Sequence, residues 1–323
     1  MMQRNYASWV IALFVCVAGS AGAQDYPSRA IRIIVPFPPG GATDIPARLV
    51  APKLSEALGQ PVVIENRTGA GGIIGVEAVA KSAPDGYTLL MATNGELVMN
   101  PSIYPKLPYD PFKDFIPVSI MLESPMLLVV SASSSFAGVG DIIAAARANP
   151  GTVTYSTAGT GSTSHVLTEM LATQAGIKLL HVPYKGGAPA SAAAASGEVA
   201  MALLNLGSAV NFVKSGKAKA LAVTSAARHP SFPDWPTAIE AGIPGFAEGI
   251  WVGMAAPAGV RRDIIDRLSV EVAKALRAPE VRERLLALGN DPLGTTPEEA
   301  AARIKREVPK FSAVVKQANI RPE

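Results

Sequence analysis

The chain has 323 residues, with 29 basic and 26 acidic side chains for a formal charge of +3, and a single cysteine. A balance this near neutrality, with no run of Lys and Arg, offers no footing for nucleic acid, and one cysteine excludes an internal disulfide and a cysteine-ligated metal site. Its 49% apolar content is not gathered into any run of about 18 residues able to span a bilayer, so it belongs to globular cores.

In chain order, the first feature is an export signal. Arg4 supplies a positive start, Trp9–Val17 an apolar stretch, and Ala21-Gly22-Ala23 a small-residue cleavage site, so the mature chain is expected to begin at Gln24, in the periplasm. The apolar stretch falls short of the ~20 residues of a permanent anchor. Val15 precedes Cys16, where lipoprotein processing requires a small residue. Cleavage removes Arg4 and Cys16, leaving 28 basic against 26 acidic residues and no thiol. About 300 residues remain, more than one core organises comfortably, and two lobes are expected.

Short β-branched runs then alternate with amphipathic stretches. Ala30–Val35, Pro61–Glu65, Tyr87–Thr93, Phe115–Leu122, Leu127–Ser131, Val153–Ser156, Leu179–Val182, Val199–Leu204 and Lys219–Thr224 read as strands. Helical patterns cover Ile45–Leu58, Ile73–Lys81, Gly140–Ala148, Thr163–Gln174, Ala188–Ser196 and Ser208–Lys214. Such alternation predicts an α/β fold of βαβ units on mainly parallel, two-sided sheets. After a strand at Ile250–Ala255, the end of the chain reads as helices Arg261–Arg277, Pro279–Leu288 and Pro297–Gln317, expected to pack on the first lobe. Pro52 should kink the first helix, because it removes an intrahelical hydrogen bond.

Two loops carry chemistry. Pro36-Phe37-Pro38-Pro39-Gly40-Gly41-Ala42-Thr43-Asp44 runs from a strand into a helix with Thr43 or Asp44 as N-cap and Pro46 in the first turn. Glycines that let backbone N–H groups approach a ligand, placed before a helix N-terminus, make an anion cradle; a rigid capped turn is the plainer alternative. Ser156-Thr157-Ala158-Gly159-Thr160-Gly161-Ser162-Thr163-Ser164-His165 is a second strand-to-helix loop, rich in hydroxyls suited to a carboxylate. A solvated turn is its plainer reading, and His165 alone suits a helix start or a core.

Other chemistries lack their signatures. Gly159-x-Gly161-x-x-Ser164 and Gly69-Ala70-Gly71-Gly72 with Gly75 imitate a dinucleotide fingerprint without its third glycine or an acidic partner. No Walker loop, nucleophile elbow or His-Glu-x-x-His is present, and only His165, His181 and His229 could serve as bases. No cofactor or metal is expected.

The chain resembles the solute receptors of tripartite tricarboxylate transporters, the Bug family. The resemblance rests on Ile34-Val35-Pro36-Phe37-Pro38-Pro39-Gly40-Gly41 with Thr43-Asp44, Gly59-Gln60-Pro61-Val62-Val63 with Asn66-Arg67, Gly69-Ala70-Gly71-Gly72, Ala83-Pro84-Asp85-Gly86-Tyr87-Thr88-Leu89, Asn100-Pro101, His181-Val182-Pro183-Tyr184-Lys185-Gly186, Leu221-Ala222-Val223-Thr224-Ser225 and Pro257-Ala258-Gly259. These run in the family's order over essentially the whole mature chain. The resemblance implies a type II periplasmic-binding-protein fold: residues 24–126 and 226–323 forming one lobe, 127–225 the other, and two crossover strands beside a ligand cleft. It implies capture of a small carboxylate by clamshell closure and delivery to a large and a small membrane subunit, with no enzymatic activity; a monomer is expected.

Carried onto this sequence, the expected ligand-binding residues are Phe37, Pro39, Gly40, Gly41, Ala42, Thr43 and Asp44 from lobe one with Asn94, and Thr157, Ala158, Gly161, Ser162, Ser164 and His165 from lobe two. Tyr184, Lys185, Gly186 and Asn205 fall where the family lines the far side, although Lys185 fits a solvated loop equally well. Glu96 and Leu97 depart from the family's small polar residue and histidine; Met126 and Ile73 replace asparagines, and Leu204 an aspartate. A carboxylate at position 96 would repel a second negative charge and favour a ligand with an amine or neutral tail; a solvated strand-end glutamate is the alternative. A periplasmic hydrolase using Ser162 or Ser164, and a sensory subunit for a signalling kinase, stay open as rival readings.

Overall fold

A computed structural model describes residues 26–321; the expected export signal and its cleavage site lie outside the described residues. The first half of the molecule is built on β1 (Ile31–Val35), β2 (Val62–Asn66) and β3 (Thr88–Thr93), which are parallel in the order β2-β1-β3. Alternation along β1 explains its place. Ile31, Ile33 and Val35 face a core shared with Val50 and Leu54 of α1 (Asp44–Leu58), while Ile34 faces Val76 and Val79 of α2 (Ile73–Ala80) on the other side. Each fully buried aliphatic contributes roughly 1.5–3 kcal/mol, which makes a strand covered on both faces hard to displace.

The second half repeats this plan. β5 (Thr154–Thr157), β6 (Leu180–Pro183) and β7 (Met201–Asn205) are parallel, and α5 (Thr163–Ala175), α6 (Gly187–Ser196) and α7 (Leu206–Lys214) follow them in turn. Between α2 and this half lie α3 (Asn100–Ile103), β4 (Phe115–Ser131) and α4 (Val139–Ala148).

Some of these expectations are corrected. Phe115–Leu122 and Leu127–Ser131 are not separate strands but one 17-residue strand, β4. Its Phe115–Pro125 pairs antiparallel with β9 (Gly249–Pro257), and its Met126–Ser131 pairs antiparallel with β7 and β8 (Ala218–Val223). Pro125 sits where pairing passes from β9 to the other neighbours, a place where a missing N–H is tolerated. The sheets are therefore mixed, because the strand that leaves the first half and the strand that returns to it run in opposite directions. The helix α1 continues unbroken across Pro52, which is exposed on its outer side. Thr43 occupies the N-cap position of α1 but makes no side-chain cap bond. One element was not anticipated: β3 runs directly into a buried π-helical turn, Gly95–Met99, that leads into α3. Wide turns of this kind are rare and gather at functional sites.

At the end of the chain, α8 (Arg262–Arg277) packs on α1 and β4, α9 (Pro279–Ala287) follows it, the short β10 (Asp291–Pro292) joins β4, and α10 (Pro297–Gln317) lies on β4 and the π turn. The helix α10 also touches α5 of the second half. Among the described residues no helix is long and apolar enough to cross a membrane.

The helix α2 lies unusually close to the loop after β1. A Cβ added at Gly75 would come within 2.6 Å of the Arg67 carbonyl oxygen and 2.8 Å of Pro36 Cα. Both are backbone atoms and cannot yield cheaply. Gly75→Ala is therefore expected to destabilise the protein by about 1–3 kcal/mol in urea unfolding, despite alanine's better helix propensity; unchanged stability would show that α2 can slide.

Candidate functional site

The first loop is fixed from beneath by Asp44. Its carboxylate accepts hydrogen bonds from Gly40 N at 2.9 Å, Arg48 Nε at 3.0 Å and Asn66 Nδ2 at 2.9 Å. Asn66 Nδ2 also donates to the Phe37 carbonyl at 2.8 Å. Burial pushes the Asp44 carboxyl up, but Arg48, Gly40 and Asn66 together outweigh it and hold the group below its ordinary range. Asp44 thus shapes the cradle, and its oxygens are already engaged.

The second loop is closed by its own hydroxyls. Ser162 caps α5 and donates to the Gly159 carbonyl at 2.6 Å, while Ser164 Oγ accepts from Ala158 N at 3.0 Å and lies 2.9 Å from Ser162 Oγ. Thr157 Oγ1 contacts His181 Nε2 at 2.7 Å, and His165 Nδ1 accepts from Gly161 N at 3.2 Å. His165 stacks on His181 with ring centroids 3.9 Å apart. Ser162 therefore gives its proton to a carbonyl, not to an imidazole, an arrangement unlike an activated nucleophile.

The two loops meet around one cavity of about 40 Å³, room for a few waters by the rule that one needs ~10–15 Å³. Gly41, Ala42 and Thr43 line it from the first loop; Ala158, Ser162, Thr163 and Ser164 line it from the second. Gly187, at the start of α6, and Asn205 and Ser208, at the start of α7, complete the polar wall. Phe37, Met126, Leu204 and Ile250 supply the apolar surface, with Thr93 and Glu96 beyond the end of β3.

Among the described residues, no Lys, Arg or His side chain lines the cavity. Positive potential comes instead from the N-termini of α1, α5, α6 and α7, whose leading N–H groups have no intrahelical partner and which together carry the positive ends of four helix dipoles. Three buried side-chain atoms in the same wall, Thr43 Oγ1, Asn205 Nδ2 and Ser208 Oγ, have no protein hydrogen-bond partner. Chemically, the cavity offers neutral donors to an anion.

The halves also touch directly. Thr163 Oγ1 donates to Asn94 Oδ1 at 2.7 Å, and Tyr104 Oη donates to the Thr160 carbonyl at 3.0 Å. Asn94 Nδ2 is in turn held by the Gly249 carbonyl at 3.1 Å.

Of the residues singled out in the sequence, Phe37, Gly41, Ala42, Thr43, Ala158, Ser162, Ser164 and Asn205 line the cavity. Pro39 and Gly40 are exposed at the tip of the first loop. Asp44, Asn94, Thr157, Gly161 and His165 stand behind the wall in the bonds just described. Gly186 abuts Pro38, Tyr184 Oη donates to Glu198 at 2.6 Å, and Lys185 is exposed. Sequence reasoning gave Thr93, Thr163, Gly187, Ser208 and Ile250 no ligand-binding role; Glu96, Met126 and Leu204 entered it as departures from the family's pattern, with Glu96 expected to disfavour a second negative charge. A capping signal existed for Ser208, the third residue after Asn205, whose side chain accepts from Ser208 N; Ile250 carried none.

Glu96 is the one carboxyl among the lining residues, and it is not a solvated strand-end glutamate. It is 1% exposed; Oε2 accepts from Thr93 N at 2.7 Å and Thr93 Oγ1 at 2.8 Å, while Oε1 has no protein partner. Burial pushes this carboxyl up to about 7, against the pull of the Thr93 bonds. His165 is held at about 3, by burial and then by His181.

These two groups act oppositely on stability. From about pH 4.5 to 7 the folded protein keeps a proton on Glu96 that the unfolded chain has released, so this group weakens the fold as pH rises, by something on the order of 3 kcal/mol in all. His165 has a depressed folded pKa and weakens the fold as pH falls below 6.5. In urea unfolding, the stability advantage of Glu96→Gln over the parent protein should therefore grow between pH 4.5 and 7 and level off above; a difference independent of pH would show that the carboxyl is not desolvated.

Comparison with known proteins agrees with this geometry. The family model described as tripartite tricarboxylate transporter family receptor matches residues 46–320. Among solved structures, R. palustris Rpa4515 with adipate is 37% identical, with a TM-score of 0.88 over 92% of this chain and 99% of that one. The periplasmic binding protein BugD is 35% identical, with a TM-score of 0.87 over 91% of this chain and 99% of its own. MatC from Rhodopseudomonas palustris with bound malate is 35% identical, with a TM-score of 0.86 over 90% and 100%. Matched along most of its length in sequence and fold, the chain belongs to the tripartite tricarboxylate transporter receptor family, which consists of periplasmic solute-binding proteins of the TctC and Bug type and not of enzymes.

Proposed function

We propose that this protein captures a small carboxylate-bearing metabolite in the cavity between its halves and delivers it to a large and a small membrane subunit of a tripartite transporter. One lobe comprises residues 24–126 and 226–323, the other 127–225, with the change of partners along β4 at Pro125 and Met126 as the hinge. One observation carries the reading: four helix N-termini and three unpartnered polar atoms converge on a cavity that holds no basic side chain. The adipate bound to the R. palustris protein and the malate bound to MatC support the same ligand class.

The energetics suffice. Micromolar affinity requires about −8 kcal/mol. Three hydrogen bonds to a charged carboxylate supply roughly 1.5–3 kcal/mol each, and each helix terminus adds ~0.3–2 kcal/mol. Closure around the ligand keeps out water that would otherwise screen them. Ligand contacts made by both lobes favour the closed form differentially, which is what lets a membrane partner distinguish loaded from empty receptor.

Thermal melts against linear mono- and dicarboxylates and their amino and amide derivatives test this directly. At least one should raise the melting temperature and bind one to one; a ligand at ~100 times its Kd stabilises by about 2.7 kcal/mol. No shift with any acid would refute the reading. For an acid that binds, Asn205→Ala and Ser208→Ala should each weaken binding by about 10- to 100-fold, the equivalent of one hydrogen bond to a charged group.

Small-angle scattering should show compaction on saturation. Gly71→Ala should prevent it, because a Cβ there would sit 2.6 Å from the Thr160 carbonyl oxygen across the seam. An envelope unchanged by saturating ligand in the parent protein would refute the clamshell.

A further inference from the structure

The unpaired atoms of the cavity fall into two chemically distinct sets. Asn205 Nδ2 is a pure donor, and with the hydroxyls of Thr43 and Ser208 it belongs to the walls built by the starts of α1 and α7. Glu96 Oε1 is an acceptor when ionised, and it belongs to the π turn after β3. All four atoms are buried without a protein partner, so Glu96 Oε1 is not bonded to any of the donors that share its cavity. An unpaired acceptor and unpaired donors in one enclosed space specify a molecule that brings the complement of each.

Glu96 is also held in place. Its other oxygen is tied to Thr93 N and Oγ1, and its Cγ lies against Gly72, where an added Cβ would be 3.4 Å from Glu96 Cγ and 3.2 Å from Phe37 Cζ. The Phe37 ring and the Gly72 backbone thus form a wall beside it. No basic side chain lines the cavity to offset a second negative charge.

We propose, resting on the carboxylate-receptor reading above, that Glu96 is a specificity-determining residue: it makes this cavity a site for a monocarboxylate whose far end carries a nitrogen donor, an ammonium or a primary amide, and it rejects the matching dicarboxylate. The ligand's carboxylate meets the helix N-termini with Asn205 and Ser208, and its N–H groups donate to Glu96 Oε1. A second carboxylate beside Glu96 in a buried space would oblige one of the two carboxyls to stay protonated at a cost, because like charges disfavour each other's ionised forms. Burial already pushes Glu96 up to about 7, so an ammonium would supply the counter-charge that the bare cavity withholds.

Titration calorimetry near neutral pH with chain-matched sets decides it: succinate, succinamate and 4-aminobutanoate; glutarate, glutaramate and 5-aminopentanoate; adipate, adipamate and 6-aminohexanoate. The amide and amine arms separate the two nitrogen chemistries. The parent protein should prefer a nitrogen-ended acid over its matched diacid by at least about tenfold, and in Glu96→Gln and Glu96→Ser that ratio should fall to about one. A diacid preferred by the parent, or a preference left unchanged in both folded variants, overturns the inference while the receptor reading stands. Binding of no probe to any of the three proteins removes the receptor reading and the inference with it. Should a variant fail to fold, the parent's own ratio still decides.

Discussion

The cavity imposes one electrostatic constraint: an anion held there would be met by no cationic side chain among the lining residues. Desolvating a charge without compensation is prohibitive, so the compensation has to come from oriented dipoles and neutral donors. This requirement explains the arrangement of the strands. The helices α1, α5, α6 and α7 follow β1, β5, β6 and β7, so their N-termini lie at the carboxyl ends of parallel strands, the edge at which open α/β sheets bind ligands. Every polar residue lining the cavity lies at or beside such a strand-to-helix junction, or in the turn that ends β3.

The antiparallel strands do a different job. Strand β4 takes partners from both halves along one unbroken backbone, and Thr224 reinforces the point of exchange by accepting from Met126 N at 2.8 Å through its hydroxyl. Across the gap, polar contacts such as Thr163 to Asn94 and Tyr104 to Thr160 join the halves, and one buried apolar cluster also draws on both, from Ile34 and Val76 to Val166 and Leu171. Strand β4 is thus the covalent link at which the two sheets exchange neighbours.

Much of this was legible in the sequence because it is encoded locally. Short β-branched runs such as Ile31–Val35 and strand-to-helix loops rich in glycine and hydroxyls declare themselves, and the ordered family stretches fix the order of the elements. What escaped detection is non-local or locally contradictory. The Glu123-Ser124-Pro125-Met126 stretch looks like a break in β4 because proline and serine suggest a turn, and only the exchange of neighbours on either side makes it continuous. Residues 95–99 have no period that announces a π turn. Asp44 carries the same cap signal whether it faces a ligand or braces a loop, and the sequence has no means of showing that Asn66 and Gly40 already occupy its oxygens.

The reliance on dipoles also bears on the medium in which such a protein works. Screening by dissolved salt acts strongly on exposed charges separated by about a Debye length, ~10 Å at 0.1 M, and weakly on groups sealed from solvent. For an acid gripped by amide ends and hydroxyls inside a closed cleft, retention would change little between dilute and saline surroundings. Encounter would depend little on salt as far as the cavity itself is concerned, since no basic side chain among its lining residues draws the acid in, and supply would then follow its concentration outside.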